Sequence, residues 1–202
     1  MEYNFNEMNM PGAKVLYCED FFEEHKEWYN LINDTVKWEM FNVKVHGKVF
    51  PQPRESFYMA DDKHPYKYSG FDRIPEKWGI AIVEMKKVLE KVLVDIEPNH
   101  PKLNAVLGNK YNDGSQYIGF HSDSESDLHD NAFNVSVSLG AERDFVFKHI
   151  ETGKNITIML KSGSVLLMGG DCQKNWKHGL PKRLKIKDPR INLTFRSVIK
   201  RK

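Results

Sequence analysis

Two residues with metal-binding side chains stand one residue apart in the segment YIGFHSDSE, at positions 117–125. Side chains at positions i and i+2 of an extended strand point the same way, so His121 and Asp123 could hold one ion together. A histidine and an aspartate at this spacing are also common in solvated turns, and the pair decides nothing by itself. A third ligand is available in His178, which follows the apolar run SVLLMGG and could come from a neighbouring strand.

Two histidines and one carboxylate form a ligand set that binds one face of non-haem Fe(II) and leaves positions open for an organic acid and for O2. Zinc accepts the same ligands, and the spacing of the residues does not exclude it. The set therefore predicts a metal centre, with Fe(II) oxygenase chemistry and a zinc site as the two alternatives.

A strand-like segment near the end of the chain, RINLTFR at 190–196, places four polar side chains on one face. Two of them are arginines, and an inward face with two arginines is costly unless anions pair with them. A small dicarboxylate fits, because arginine makes forked, charge-assisted hydrogen bonds to carboxylates. The alternative is an edge strand with solvated arginines. The four residues are Arg190, Asn192, Thr194 and Arg196.

Several short motifs together resemble those of the AlkB-type Fe(II)/2-oxoglutarate-dependent dioxygenases, from about residue 40 to residue 200. They are HSD at 121–123, His178, RINLTFR, NKY at 109–111 and SLGAERDFVF at 138–147. The resemblance implies that O2 is the oxidant and that Fe(II) is bound by His121, Asp123 and His178, which form the catalytic group with Arg196. It implies further that the co-substrate, 2-oxoglutarate, is held by Asn109, Tyr111, Arg190, Asn192, Thr194 and Arg196.

The resemblance is closest to the eukaryotic-style DNA-repair members, and it implies a nucleotide-recognition lid over residues 41–75. Adenine methylated at N1 and cytosine methylated at N3 are cations, so a pocket acid such as Glu125 could attract them. Tyr68 could stack on a base flipped out of its strand. A solvated loop acid and core tyrosines are the alternatives. The implied substrate contacts are His46, Gly47, Lys48, Arg54, Tyr66, Tyr68, Ser124 and Glu125.

Two of these positions depart from the family pattern. Ser124 stands where close relatives carry a second acid, and His46 stands where the duplex-preferring relative has an aromatic wedge. The choice between single and double strands, and between DNA and RNA, therefore stays open.

The segments that must position these residues are helices in the first half of the chain and strands in the second. Apolar residues at helical spacing predict helices over 19–37 and 76–96. Later β-branched segments predict at least five strands, with KSGS at 161–164 as a hairpin turn and FNVSVSL as a half-buried strand. The predicted fold class is α+β, and the resemblance implies a double-stranded β-helix (jelly-roll) core with N-terminal helices and the lid. We expect one domain over 1–202, with an N-terminal extension and helix over 1–40, the lid over 41–75, a supporting helix over 76–100 and the core over 101–200.

The 202 residues carry a formal net charge of only +2, but the charge is unevenly distributed. Eleven basic residues and one acid between Lys174 and Lys202 give +10, which leaves −8 for the rest. This asymmetry suggests a polyanionic partner such as DNA, with RNA left open, although a solvated lysine-rich tail is the alternative. Two cysteines far apart indicate an intracellular location, nuclear or cytoplasmic. No stretch is apolar enough for a membrane span, and we expect a monomer.

The combined prediction is an oxidative demethylase that repairs 1-methyladenine and 3-methylcytosine and releases formaldehyde, succinate and CO2. One alternative is a 2-oxoglutarate-dependent protein hydroxylase, which would not need the basic segment or the tyrosine-rich lid. The other is a non-catalytic or zinc-binding jelly-roll module that binds nucleic acid.

Overall fold

The structure is a computed structural model, and it describes residues 3–45, 47–61, 66–68, 71–123, 128–129 and 132–199. Its helices are α1 (His25–Thr35), α2 (Ile80–Ile96) and the short α3 (Cys172–Asn175). Its strands are β1 (Asn6–Glu7), β2 (Ala13–Cys18), β3 (Glu39–Val45), β4 (Lys48–Ala60), β5 (Tyr66–Tyr68), β6 (Phe71–Arg73), β7 (Ala105–Tyr111), β8 (Ile118–His121), β9 (Asn134–Gly140), β10 (Arg143–His149), β11 (Asn155–Leu160), β12 (Val165–Gly170), β13 (Trp176–Leu180) and β14 (Arg190–Arg196).

The strands form a large and a small antiparallel sheet that share an apolar core. The large sheet has eight strands in the order β1-β2-β12-β9-β14-β7-β4-β3, and the small one has four in the order β11-β10-β13-β8. Side chains from both sheets, such as Tyr17, Phe147, Leu166 and Trp176, pack in one cluster between them. From β7 to β14 the chain crosses between the two sheets at every connection except that between β10 and β11, as in a jelly roll. The predicted fold class is confirmed.

The two longer helices cover the other face of the large sheet. The apolar faces of α1 and α2, represented by Ile32 and Met85, pack against Val106 and Val135 of that sheet. The large sheet thus has an apolar core on each of its faces. In the part of the chain that the structure describes, no helix is long and apolar enough to cross a membrane.

Both predicted helices begin later than their periodicity suggested. Phe21 and Phe22 are buried, but the Phe22 N–H donates to the Gly163 carbonyl at 2.9 Å, so this segment follows the sheet and α1 starts at His25. Similarly, Glu76 makes a β-bridge with Met59, and α2 starts only at Ile80. Local periodicity cannot reveal backbone hydrogen bonds to distant strands.

The predicted hairpin at KSGS is wrong. β11 pairs with β10 in the small sheet, whereas β12 pairs with β2 and β9 in the large sheet. The turn therefore carries the chain across the core from one sheet to the other. Gly163, with φ +85°, supplies a left-handed backbone conformation that other residues rarely adopt.

The large sheet is not confined to residues 101–200. β2 pairs with β12 along its whole length, and the second half of β4 pairs with β7 from Glu55 to Ala60. β2 and β4 thus extend a jelly roll whose eight strands, β7 to β14, lie within residues 101–200, and the predicted domain boundaries stay a prediction. Among the other described residues of the 41–75 segment are the β3–β4 hairpin and the two-stranded β5–β6 ribbon (residues 66–68 and 71–73). Its function as a lid stays a prediction.

Candidate metal centre and adjoining cavity

The three predicted metal ligands come together where β8 and β13 pair. His121 is the last residue of β8 and lies opposite His178 in the strand register. Asp123 lies beyond the end of the strand, so the expected extended spacing does not explain its position. One ligand atom from each residue nevertheless lies within 4.8 Å of the other two. Two imidazoles and a carboxylate at these separations can hold one divalent cation.

The two oxygens of the buried Asp123 carboxylate have different surroundings. Oδ2 accepts hydrogen bonds from Arg196 Nη2 at 2.9 Å and from Asn134 Nδ2 at 3.0 Å. Oδ1 has no hydrogen-bond partner among the described residues and lies 3.6 Å from His121 Nε2. Burial would raise the pKa of this carboxyl, but attraction by Arg196, His178 and His121 outweighs burial and holds the pKa well below its usual range. An ionised oxygen is thus left for a metal ion.

The two histidines are prepared as metal ligands in different ways. His121 Nδ1 lies 2.9 Å from the Gly119 carbonyl oxygen, so it donates its proton there and the lone pair remains on Nε2. The His178 ring stacks on Phe145, and its burial, together with the nearby His121, lowers its pKa to about 3. His178 is therefore neutral at physiological pH, the form that binds metals. The triad fits a divalent ion.

All six residues predicted to hold 2-oxoglutarate line one cavity with the three metal ligands. In the register of β7 and β14, Tyr111 lies opposite Arg190, and Asn109 lies opposite Asn192. Apolar residues complete the wall of the cavity. β14 occupies the middle of the large sheet, so the alternative of a solvated edge strand is wrong. The apolar wall residues are Leu107, Ile118, Phe145, Met168 and Leu180.

Arg190 is a buried cation with unused donors. Its side chain is 1% exposed, and Nη2 donates to Ser138 Oγ at 2.8 Å. Nε and Nη1 have no hydrogen-bond partner within the described part of the chain. Burial lowers the pKa of Arg190 to about 10, so the guanidinium remains charged at neutral pH. A buried charge in this state requires an anion, and a carboxylate of a small organic acid matches its geometry.

The second arginine of RINLTFR has a different environment. Arg196 Nη2 contacts Asp123, so this guanidinium lies at the metal end of the cavity. Thr194 Oγ1 donates to Asn192 Oδ1 at 3.2 Å between the two arginines. The sequence analysis assigned both arginines to 2-oxoglutarate, and for Arg196 that role stays a prediction beside its observed contact with Asp123.

β9 contributes polar residues to the site that its sequence pattern did not lead us to expect. Its apolar residues face the helices, and its polar residues, expected to face solvent, are buried beneath the cavity. Asn134 donates to Asp123, Ser136 accepts from Asn192 Nδ2 at 2.7 Å, and Ser138 accepts from Arg190. The strand is therefore buried on both faces. Its strict alternation of small polar residues was the available signal.

A sequence model of the family described as "2OG-Fe(II) oxygenase superfamily" matches residues 15–196. The chain belongs to this family. Membership in the 2OG-Fe(II) oxygenases assigns Fe(II), 2-oxoglutarate and O2 to the cavity described above, and it favours iron over the zinc alternative. The predicted oxidoreductase class is confirmed.

Among curated proteins, this oxygenase is similar to the DNA oxidative demethylase ALKBH2 of Mus musculus, with 34% identity over 165 residues that cover 78% of this chain and 66% of that protein. The ALKBH2 of Homo sapiens is 36% identical over 165 residues, covering 78% and 61%. The chain thus spans less than two thirds of the length of these relatives. OsALKBH1 shares the fold, with a TM-score of 0.63, 17% identity and coverage of 96% of this chain and 100% of that one. The AlkB-type resemblance is confirmed.

The predicted substrate contacts of this oxygenase fall only partly within the described residues. His46, Ser124 and Glu125 lie outside them, and so do the side chains of Tyr66 and Tyr68. Gly47 and Lys48 are exposed at the turn between β3 and β4, where Gly47 has φ +79°. Contacts of all these residues with nucleic acid stay predictions.

Arg54, the remaining predicted substrate contact, does not lie on the outer surface. Its side chain is buried, and Nε donates to Asn109 Oδ1 at 2.7 Å. Pro51 and Pro53 lack the N–H groups that a regular ladder needs, and the β3–β4 register is irregular at this point. Arg54 thus joins β4 to the cavity-lining Asn109, and its predicted contact with the substrate stays a prediction.

Proposed function

We propose that this oxygenase removes methyl groups oxidatively from 1-methyladenine and 3-methylcytosine in DNA. The observation that carries the proposal is one cavity that joins the His121–Asp123–His178 triad to the buried, anion-demanding guanidinium of Arg190. The relatives named DNA oxidative demethylase support nucleic acid as the substrate. RNA is a second substrate to be tested in the same experiment.

Several residues in and beside the cavity have a defined task in this reaction. Bound Fe(II), with 2-oxoglutarate and O2, supplies the oxidation that converts the N-methyl group to hydroxymethyl, with succinate and CO2 as co-products. The hydroxymethyl group then leaves the base as formaldehyde. Arg190 and the facing Tyr111 bind a carboxylate of 2-oxoglutarate. Arg196 and Asn134 orient Asp123 and keep it ionised.

Exposed lysines on both sides of His178 in the sequence support an encounter with a polyanion. Arg190 and Arg196 are buried in the cavity, so they do not contribute to an outer phosphate-binding surface. The neutralisation of phosphates by lysines would supply sequence-independent affinity. The exposed lysines of this segment are Lys174, Lys177, Lys182, Lys185 and Lys187.

The test is turnover on a panel of oligonucleotides that contain 1-methyladenine or 3-methylcytosine, in DNA and RNA, single- and double-stranded. With Fe(II) and 2-oxoglutarate we expect formaldehyde release and demethylated product by mass spectrometry. Asp123→Ala should abolish turnover but retain nucleic-acid binding, whereas the exposed-site control Asp171→Ala should remain active. An iron-loaded native chain without turnover on any oligonucleotide would contradict the proposal, and hydroxylation of a peptide instead would favour the protein hydroxylase.

A further inference from the structure

Arg73 is a buried cation on the small β5–β6 ribbon. The ribbon pairs with neither of the two larger sheets, yet the Arg73 side chain is only 5% exposed. Its guanidinium lies over the Phe41 ring, with Cζ 3.9 Å from the ring centroid. Nη1 donates to Ser56 Oγ at 3.1 Å. One side chain thus joins the ribbon to both β3 and β4.

The position of Phe41 results from the irregular pairing of β3 with β4. Met40 pairs with Glu55, but Asn42 pairs with Pro51, so three residues of β4 stand opposite one residue of β3. Such bulges bend a strand and change the direction of a side chain. Phe41 sits at the bulge and provides the aromatic face on which Arg73 stacks.

Ser56 connects Arg73 with the cavity. It lies directly opposite Asn109 in the β4–β7 register, and Asn109 lines the cavity. Its Oγ also accepts a hydrogen bond from the Nε2 of the buried Gln52. On the ribbon itself, Arg73 pairs with Tyr66. Arg73 therefore connects β5, which carries Tyr66 and Tyr68, with β4, which pairs with the cavity-lining strand β7.

We infer that Arg73 is a positioning residue that anchors the β5–β6 ribbon, and with it Tyr66 and Tyr68, in place for the flipped base. This inference rests on the proposed function and on the predicted contacts of Tyr66 and Tyr68 with the substrate. A two-stranded ribbon with three residues per strand is not stable alone, so an external anchor is required. Arginine suits the task because its planar cation can stack on a ring and donate hydrogen bonds at its edge.

The test compares Arg73→Met and Phe41→Leu, which each remove one half of the contact, with Phe41→Tyr, which keeps the aromatic face. The first two should raise KM for a methylated oligonucleotide about tenfold, with little change in kcat. KM for 2-oxoglutarate and succinate formation without nucleic acid should stay native. Phe41→Tyr should behave like the native chain. Lys87→Met, which removes an exposed positive charge from α2, is the charge control.

Amide hydrogen exchange in β5 and β6 gives an independent measurement, and it should accelerate in Arg73→Met. An active native chain together with a native KM in Arg73→Met overturns the inference but not the proposed function. Parallel loss of succinate formation in both Arg73→Met and Phe41→Leu also overturns it, because the contact would then support the whole fold. A native chain that releases no formaldehyde from any oligonucleotide overturns the proposed function and this inference together.

Discussion

Single residues in the cavity are held in states that the fold by itself does not favour. Arg190 is buried with two donor atoms unused, and Asp123 Oδ1 is buried without a hydrogen-bond partner among the described residues. Each group carries an uncompensated desolvation cost until a ligand arrives. Ligand binding therefore does two things at this site: it completes the chemistry, and it supplies the missing partners.

Arg190→Met tests this dependence directly. We expect KM for 2-oxoglutarate to rise about 10- to 100-fold, because charge-assisted hydrogen bonds to the carboxylate are lost. The free energy of unfolding of the ligand-free protein should not fall, because an uncompensated buried charge is removed. Steady-state kinetics and urea unfolding measure the two effects. A large loss of ligand-free stability would show that Arg190 has a structural partner.

At the scale of elements, Arg143 at the start of β10 links the loops next to the strands that carry His121 and His178. Its buried guanidinium donates to the carbonyls of Asp113 at 3.2 Å, Gln116 at 3.0 Å and Pro181 at 2.7 Å. Asp113 and Gln116 belong to the loop between Tyr111 and His121, and Pro181 follows the strand that carries His178. One side chain thus fixes the loops that flank the metal ligands and the cavity wall.

Arg143→Met should lower the free energy of unfolding by about 3 kcal/mol or more, because three carbonyls lose a charged donor in a buried place. Arg183→Met is the matched control. Arg183 pairs with Asp144 near the surface, where such pairs contribute at most about 1 kcal/mol. Urea unfolding of the two variants makes the comparison, and equal losses would refute the role given to Arg143.

His100, just after α2, makes the attachment of β9 sensitive to pH. Its Nε2 accepts a hydrogen bond from the Phe133 N–H at 2.8 Å, which requires the neutral ring. Burial lowers the pKa of His100 below its ordinary 6.5, so the contribution to stability is complete above about pH 6.5 and is lost as the pH falls towards the folded-state pKa.

The prediction is a difference between native protein and His100→Gln in how the free energy of unfolding depends on pH. Native protein should lose more unfolding free energy between pH 7.5 and pH 5.5 than His100→Gln, which can accept the same hydrogen bond but does not titrate. Other buried histidines, including His178, contribute equally to both proteins in the metal-free state. Identical pH profiles from urea unfolding would show that His100 does not titrate in this range.

Sequence patterns predicted the site residues better than the elements that bring them together. The HSD and RINLTFR motifs are compact and their chemistry can be recognised locally. The cavity is lined by His121, Asp123 and His178 and by the four polar residues of RINLTFR. The roles of Ser138 and Arg143 depend on partners that only the long-range strand pairing places beside them. For the same reason the crossing at KSGS was mistaken for a hairpin, since turn residues do not specify which sheet follows.

For the molecule as a whole, the uneven distribution of charge predicts how nucleic-acid binding depends on salt concentration. Replacement of Lys182 and Lys185 by glutamine should reduce the slope of log Kd for nucleic acid against log salt concentration by about 0.8 per lysine. The loss should be similar for methylated and unmethylated strands, because phosphates carry no base information. Fluorescence anisotropy over a salt series measures the slope, with Lys87→Gln and Lys91→Gln on α2 as the charge-matched control. If the Lys182 and Lys185 variant has the same slope as the native chain, the phosphate contacts lie elsewhere.

The last strand in sequence, β14, lies between β9 and β7 in the middle of the large sheet. During synthesis, two halves of that sheet must therefore wait with open edges until residues 190–196 have left the ribosome. Open edges of this kind can pair with other chains. A stop codon introduced just before Arg190 would not trim the molecule; it would split the sheet in two and remove the guanidinium that pairs with Asp123. We expect such a truncated chain to aggregate, because residues 190–196 complete both the large sheet and the cavity.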